Sequence, residues 1–378
     1  MIRRLVAVVL LFAALLTLGG CWNYRGLDQL SIVVGIAIDY DKESRLYHLC
    51  YEIVDLSGMN KEAAIQSKTL TSSGETLFEA ARNAKKKEAD KLFLGSAQVL
   101  VFSHQLVQEM GILDVLDWFL RDAECRESMC VAISQEDTAA EILISSEKSS
   151  GMMSTILREI IMEDNEITAS ANHVQLFQVY NDLNTPLHCT AIPTLRRVKR
   201  NGDDITELNG STVIHEDRYI GVISPEMGKY LLMVYNELKG GLITVALSDK
   251  PSDLITLEVF ESYTSTDFTR DGDQITFNIK TTTFVTAMEN TADLGLMNRS
   301  NLDYLKDIAQ RHIEESIHSL VYYCQQELKT DILRFGEMIY KRDNKFWNEI
   351  GDTWGEVFPT VQVNVSSRVE IRNAGFIK

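Results

Sequence analysis

The sequence predicts an α+β protein built as three domains, with mixed β-sheets and packed helices. Three observations lead there. Strand-type alternation and helical periodicity succeed one another irregularly, without the strict repeat of a doubly wound parallel sheet. At 378 residues the chain exceeds the ~250–300 that a single hydrophobic core ordinarily serves. The last third reads as a long hairpin, a long amphipathic helix and a closing strand, which together make a self-contained unit.

The first element is an export signal, not part of the fold. Arg3 and Arg4 precede an uncharged run over residues 5–18, which Leu18-Gly19-Gly20-Cys21 closes. This is the basic, apolar and small-residue layout of a secretory signal. The terminal cysteine makes it resemble the lipobox of bacterial lipoproteins, which implies a signal peptide over 1–20 and acylation of Cys21. An uncleaved membrane helix is the rival reading. The uncharged run over 5–22 only reaches the lower limit of a span of about 17–25 residues.

Residues 21–185 are expected to form an N-terminal α/β domain. Strands are read over 31–38, over 47–54 across the polar turn 41–44, and over 67–73. Gly74-Glu75-Thr76 opens a helix with Leu77, Ala80, Ala81 and Ala84 on one face. It ends in Lys85, Lys86 and Lys87, where cations suit the negative end of the helix dipole. A strand follows within 92–102, then helices over 104–110 and 112–121, an extended run over 128–134, and a helix over 137–144 capped by Asp137. Residues 151–181 are mainly helical, and Pro186 and Pro193 interrupt any continuation.

Residues 186–250 are expected as a small middle α/β domain. It has strands at 211–214 and 219–223 about the turn 215–217, a helix over 225–236, and Lys239-Gly240-Gly241 as a boundary. Residues 251–378 form the C-terminal α+β domain. The runs 254–266 and 274–287 meet at Arg270-Asp271-Gly272-Asp273, a hairpin signal. Ser300 and Asp303 read as a capping box ahead of a helix over 302–329, about 42 Å long at 1.5 Å per residue. A shorter helix carries Phe335, Ile339, Phe346 and Trp347, and the chain closes on an alternating strand from 361.

Composition narrows the function. An apolar fraction of 45% and a charged fraction of 24% are those of a globular protein, not of a disordered or polytopic one. The net charge is −17, and removing residues 1–20, which hold two arginines and no acid, takes it to −19. That excess argues against nucleic acid as a partner, and it leaves adhesion to an anionic membrane to a lipid or a protein partner.

Reactive constellations are missing, so no catalytic, cofactor-binding or metal-ligating residue is assigned. Motifs for metalloproteases, phosphate loops, dinucleotide sites and serine hydrolases are absent from the sequence. His312 and His318 are six apart on a predicted helix and face different ways, and His188-Cys189 has no companion ligands nearby. Cys50, Cys125, Cys130, Cys189 and Cys324 form no disulfide framework, with a Cys125–Cys130 bridge as the minor alternative. Arg196, Arg197, Lys199 and Arg200 make the densest basic cluster and read first as the solvated end of a strand. Phe346, Trp347, Trp354 and Phe358 read first as core, with a subunit contact as the second reading.

Cys21-Trp22 followed by residues 27–39, Leu-Asp-Gln-Leu-Ser-Ile-Val-Val-Gly-Ile-Ala-Ile-Asp, resembles the opening of the Ger(x)C family, the lipoprotein C subunits of spore germinant receptors. Residues 330–337, Phe346-Trp347, Trp354, Val357-Phe358-Pro359 and 369–378 are similar to that family's C-terminal signature. Residues 74–80, 94–100 and 239–245 fit it as well, while Asn23-Tyr24-Arg25-Gly26 lacks the acids usual after the Cys-Trp pair. The resemblance implies a non-enzymatic subunit with no cofactor, held at the outer face of the spore inner membrane by the lipid on Cys21. It implies partnership with the integral membrane A and B subunits in sensing nutrients, and three mixed α/β domains. It leaves open whether this subunit binds the nutrient itself. The rival from another class is an extracytoplasmic solute-binding lipoprotein of a transporter, which would need two doubly wound lobes about a cleft.

Overall fold

The computed structural model describes residues 2–4, 26, 29–55, 66–144, 151–200, 203–272, 274–292 and 294–373. In chain order, β1 (Leu30–Asp41), β2 (Leu46–Asp55) and β3 (Gln66–Gly74) precede α1 (Leu77–Asn83), β4 (Lys91–Phe93), β5 (Val99–Ser103), α2 (His104–Glu109) and α3 (Leu113–Arg121). Then come β6 (Cys130–Ser134), α4 (Ala140–Leu143), α5 (Met153–Ile167), α6 (Leu176–Leu183), β7 (Cys189–Arg200), β8 (Asp203–His215), β9 (Arg218–Ile223) and α7 (Pro225–Val234). The last part holds β10 (Leu242–Ala246), β11 (Leu254–Asp271), β12 (Gln274–Asn290), α8 (Arg299–Tyr322), α9 (Phe335–Arg342), α10 (Asn344–Ile350), α11 (Trp354–Val357) and β13 (Gln362–Asn373). The architecture is α+β, as the sequence predicts.

The first sheet runs in the order β3-β2-β1-β5-β6-β7-β8-β9, with β4 joined to the start of β1. Its middle is parallel, through β1/β5, β5/β6 and β6/β7, and both flanks are antiparallel. Parallel strands must be covered on both faces, which is why β5 and β6 are buried along their whole length. The two faces differ in side-chain size. Ile36, Ile38, Leu100, Phe102, Val131 and Ile133 pack in a core with residues of α1, α2, α3 and α6. Ala37, Val99, Val101 and Ala132 face α4 and α5. Small side chains there let α5 come close: a Cβ on Gly35 would sit 1.8 Å from the Ser154 Oγ.

The second sheet, β10-β11-β12-β13, is antiparallel except where β13 runs parallel to β12. The long hairpin turns at Gly272, whose φ of +60° favours glycine. Across this sheet lies α8, with Leu305, Ala309, Ile313, Ile317 and Leu320 fully buried. Each of its large aliphatic side chains contributes roughly 1.5–3 kcal/mol by leaving water. The strands expected in the middle segment are hydrogen-bonded into the first sheet, since Ile133 and Ser134 pair with Thr194 and Leu195. Cys189, Ala191, Val213 and Ile223 of those strands nevertheless share one core with α7, α8 and the second sheet.

Local details depart from the sequence reading. The run 92–102 is two strands, β4 and β5, separated by a 3₁₀ turn over Leu94–Ser96. Asp137 does not cap α4; Asp39 of β1 accepts the Ala139 and Ala140 amides at 2.6 and 3.3 Å. Asn298 caps α8 by accepting the Ser300 amide at 2.9 Å, in place of the box expected at Ser300 and Asp303. Residues 323–328 continue α8 as a π-helical turn, which Lys329 ends at a left-handed φ of +51°. The shorter helix is two, divided at Asp343, whose Oδ1 accepts the Phe346 amide at 3.0 Å.

Candidate functional site

Cys21, the predicted lipidation site, lies outside the described residues, as does the signal segment from residue 5 to 20. The described chain begins its body at Gly26, whose carbonyl accepts the Gln29 amide at 3.0 Å. Leu30, Ser31 and Ile32 then pair in parallel with Lys91, Leu92 and Phe93. The described chain therefore enters the sheet beside β4.

A junction of distant segments forms at the loop ahead of α9. Lys329 and Arg334, both at positive φ, bracket it. Between them Asp331 is 4% exposed. Its Oδ1 accepts the Phe335 amide at 3.1 Å, and its Oδ2 accepts the Gly336 amide at 2.6 Å and the Trp354 indole N–H at 3.0 Å. One carboxylate thus satisfies the first amides of α9 and ties that helix to α11. A Cβ on Gly336 would meet the Trp354 Nε1 at 2.6 Å and Leu187 Cδ2 at 2.7 Å, so only glycine fits. Phe335 stacks on Phe277 of β12, with ring centroids 4.1 Å apart and planes at 10°.

The same loop binds the rest of the chain. The Asp331 carbonyl accepts the Cys189 thiol of β7 at 3.4 Å, and the Ile332 carbonyl accepts the Tyr235 hydroxyl at 2.6 Å. The Arg334 guanidinium lies 3.8 Å from Asp182 of α6, 3.4 Å from Glu237, and 4.1 Å over the Tyr235 ring. Burial pushes Asp331 up to about 6 in spite of the N–H groups it accepts. Burial likewise raises Asp182, with Arg334 opposing it. The arrangement offers no vacant reactive group. Its chemistry is mechanical: charged hydrogen bonds hold three stretches of chain in one geometry.

Other candidates resolve into packing. Phe346, Trp347, Trp354 and Phe358 are buried in the core around Phe335. The five described cysteines are free thiols, and burial lifts Cys130 to about 11 and Cys50 and Cys125 to about 12, so none is a thiolate at neutral pH. Among the described residues no group of His, Cys, Asp or Glu is placed to hold a metal ion. His312 shares a hydrogen bond with the Tyr230 hydroxyl at 3.1 Å, and His188 Nδ1 lies 2.9 Å from the Leu183 carbonyl. The basic cluster at the end of β7 is met by acids from β8: Arg196 by Glu207 and Arg197 by Asp204, each at 2.7 Å. The sequence carries Arg334 only as part of the 330–337 signature, with no role attached, and does not single out Glu52, a lone acid inside an apolar strand; that setting is the one signal that marks Glu52.

Comparison with known proteins places the chain in a family. Residues 23–197 match the family model "Spore germination protein N-terminal domain", and residues 209–375 match "Spore germination B3/ GerAC like, C-terminal". Spore germination protein B3 of Bacillus subtilis is 22% identical over 388 residues, covering 97% of each chain. Spore germination protein KC of the same organism is 22% identical over 403 residues, covering 99% of this chain and 97% of the relative. The crystal structure of the GerBC protein superposes with a TM-score of 0.61 at 19% identity, over 91% of this chain and 99% of that one. Asp331, Phe335, Gly336, Trp354 and Phe358, which carry the C-terminal resemblance, are the residues that build the junction. On these matches along both halves, the chain belongs to the Ger(x)C family of spore germination proteins.

Proposed function

We propose that this protein is the lipid-anchored C subunit of a nutrient germinant receptor, held by Cys21 at the outer face of the spore inner membrane beside integral A and B subunits. It acts there as a scaffold or as a relay of the receptor's state. The observation that carries the reading is the junction at Asp331–Arg334, which joins α6, the segment after α7 and the helices of the last third through charged hydrogen bonds and a shared core. A rigid frame transmits a displacement between its ends, and one without a reactive centre suits a structural part in a complex. The divisions 21–185, 186–250 and 251–378 are the three domains of that frame in this reading. Among the described residues no helix is long and apolar enough to cross a membrane; in this reading the acyl chains on Cys21 hold the protein to the bilayer.

Affinity purification of the tagged protein from spore membranes tests this. Two polytopic membrane proteins are expected in stoichiometric amounts. Recovery of the chain alone from mild detergent, or with the components of a solute transporter, would overturn the receptor assignment.

A further inference from the structure

One surface runs against the acidic balance of the molecule. On α1, Phe78 is 54% exposed, and the Arg82 guanidinium lies 4.9 Å from the centre of its ring. Beyond the helix, Lys85, Lys86 and Lys87 are exposed, and Lys91 follows in β4. Lys91 is paired with Glu124. Among the described residues no carboxylate forms an ion pair with Arg82, Lys85, Lys86 or Lys87. Lys85 and Lys87 donate to the carbonyls of Ala89 and Thr71, which hold the side chains in place without forming an ion pair. The contrast with Arg196 and Arg197 is direct, since each of those lies against an acid of the neighbouring strand.

The position of this ridge adds a second, independent observation. Phe78, Arg82, Lys85 and Lys91 line one hollow of about 410 Å³, with Asp122 and Glu124 on its wall. Lys91 pairs with Leu30, the first residue of β1. Leu30 follows Cys21 by nine positions, a reach of at most ~32 Å for extended chain. The ridge therefore lies at the end of the body from which the chain runs back to its anchor. Attraction at physiological salt acts over about 8 Å, so a local basic face can rest on an anionic bilayer while acids farther out are screened. An aromatic ring beside arginine and lysine is also a composition suited to the headgroup region.

We propose that the ridge of Phe78, Arg82, Lys85, Lys86, Lys87 and Lys91 is the face that this protein lays on an anionic lipid surface, fixing its orientation at the membrane. The proposal rests on the reading of Cys21 as a lipid anchor. The anchor sets the distance from the bilayer, and the ridge sets which side faces it.

The test uses the full lipidated chain, reconstituted on vesicles of phosphatidylcholine alone and of phosphatidylcholine with phosphatidylglycerol. Floated protein is acetylated, and each lysine is quantified by mass spectrometry, with exposed Lys280 and Lys345 as internal references. Labelling of Lys85, Lys86 and Lys87 is expected to fall about fivefold or more on the phosphatidylglycerol vesicles, the factor one basic residue contributes at an anionic surface, and to return at high salt. The variant K85E/K86E/K87E should float equally and still unfold cooperatively, yet lose the salt-sensitive protection of Lys91. Equal labelling of floated protein on both vesicle types would overturn the ridge and leave the anchor standing. Protection on both types alike, unaffected by salt, would show that the ridge is covered without any need for anionic lipid and overturn the proposal. Failure to float on either would overturn the anchor reading and the orientation with it.

Discussion

Asp331 shows how a single side chain carries both structure and a pH response. Its folded-state pKa of about 6 stands above the ordinary 3.8 because burial penalises the charged form. Between those values the folded chain holds a proton that the unfolded chain has released, so this group's contribution to stability falls as pH rises from about 4 to about 6 and is level above. About two units correspond to ~3 kcal/mol. Asp331→Asn removes the titration and sets an amide N–H₂ against N–H groups of Phe335, Gly336 or Trp354. In urea unfolding across this range, the wild type's advantage over Asp331→Asn should shrink as pH rises through 4–6. Parallel stability curves for the two proteins would show that Asp331 does not titrate in the fold. The residue types at the junction were legible in the sequence as part of a family signature. Their roles were not, because Asp331 meets Trp354 across a separation of 23 residues that no local pattern encodes.

Elements followed the sequence closely wherever one periodicity ran unbroken, as in β1, α8 and the β11–β12 hairpin. They departed where a distant side chain decided the boundary. The first turn of α5 has no cap of its own; Glu52 of β2, 1% exposed, accepts the Met153 and Ser154 amides at 2.7 Å each, together with the Ser154 and Ser67 hydroxyls. Asp39 does the same for α4, and Asp217 accepts the Ile112 and Leu113 amides at 2.6 and 2.9 Å ahead of α3. Lone acids on or beside strands are thus helix caps supplied from another part of the chain. Glu52→Ala leaves two buried amides without acceptors and should destabilise the protein by about 3 kcal/mol, from ~1–3 kcal/mol for each unsatisfied group. Glu52→Gln, which keeps one acceptor oxygen, should lose less. Chemical denaturation would measure both; equal stability of Glu52→Ala and wild type would mean that the α5 amides find water instead.

At the scale of the whole molecule, the body and its anchor are expected to be separable. Cys21→Ala should leave the thermal unfolding of the body unchanged while abolishing acyl labelling and retention in detergent-free membrane fractions. Full retention of that variant in the absence of partners would favour an uncleaved apolar helix over a lipid. The acidic body makes the measurement clear, since its net negative charge works against adsorption to anionic lipid.

The sequence by itself determined the α+β class, most of the order of strands and helices, and the family, because each rests on local periodicity or on residues adjacent in the chain. Only the tertiary structure decided three further things. It placed the strands of 189–223 in the first sheet and their apolar faces in the core of the last third. It paired the cluster at Arg196 with acids while leaving the one at Lys85 unpaired. It brought Asp182, Glu237 and Arg334 together. The physical reason is common to all three: hydrogen bonds, burial and charge pairing depend on distance in space, and strand pairing and core packing set that distance between residues far apart in the chain.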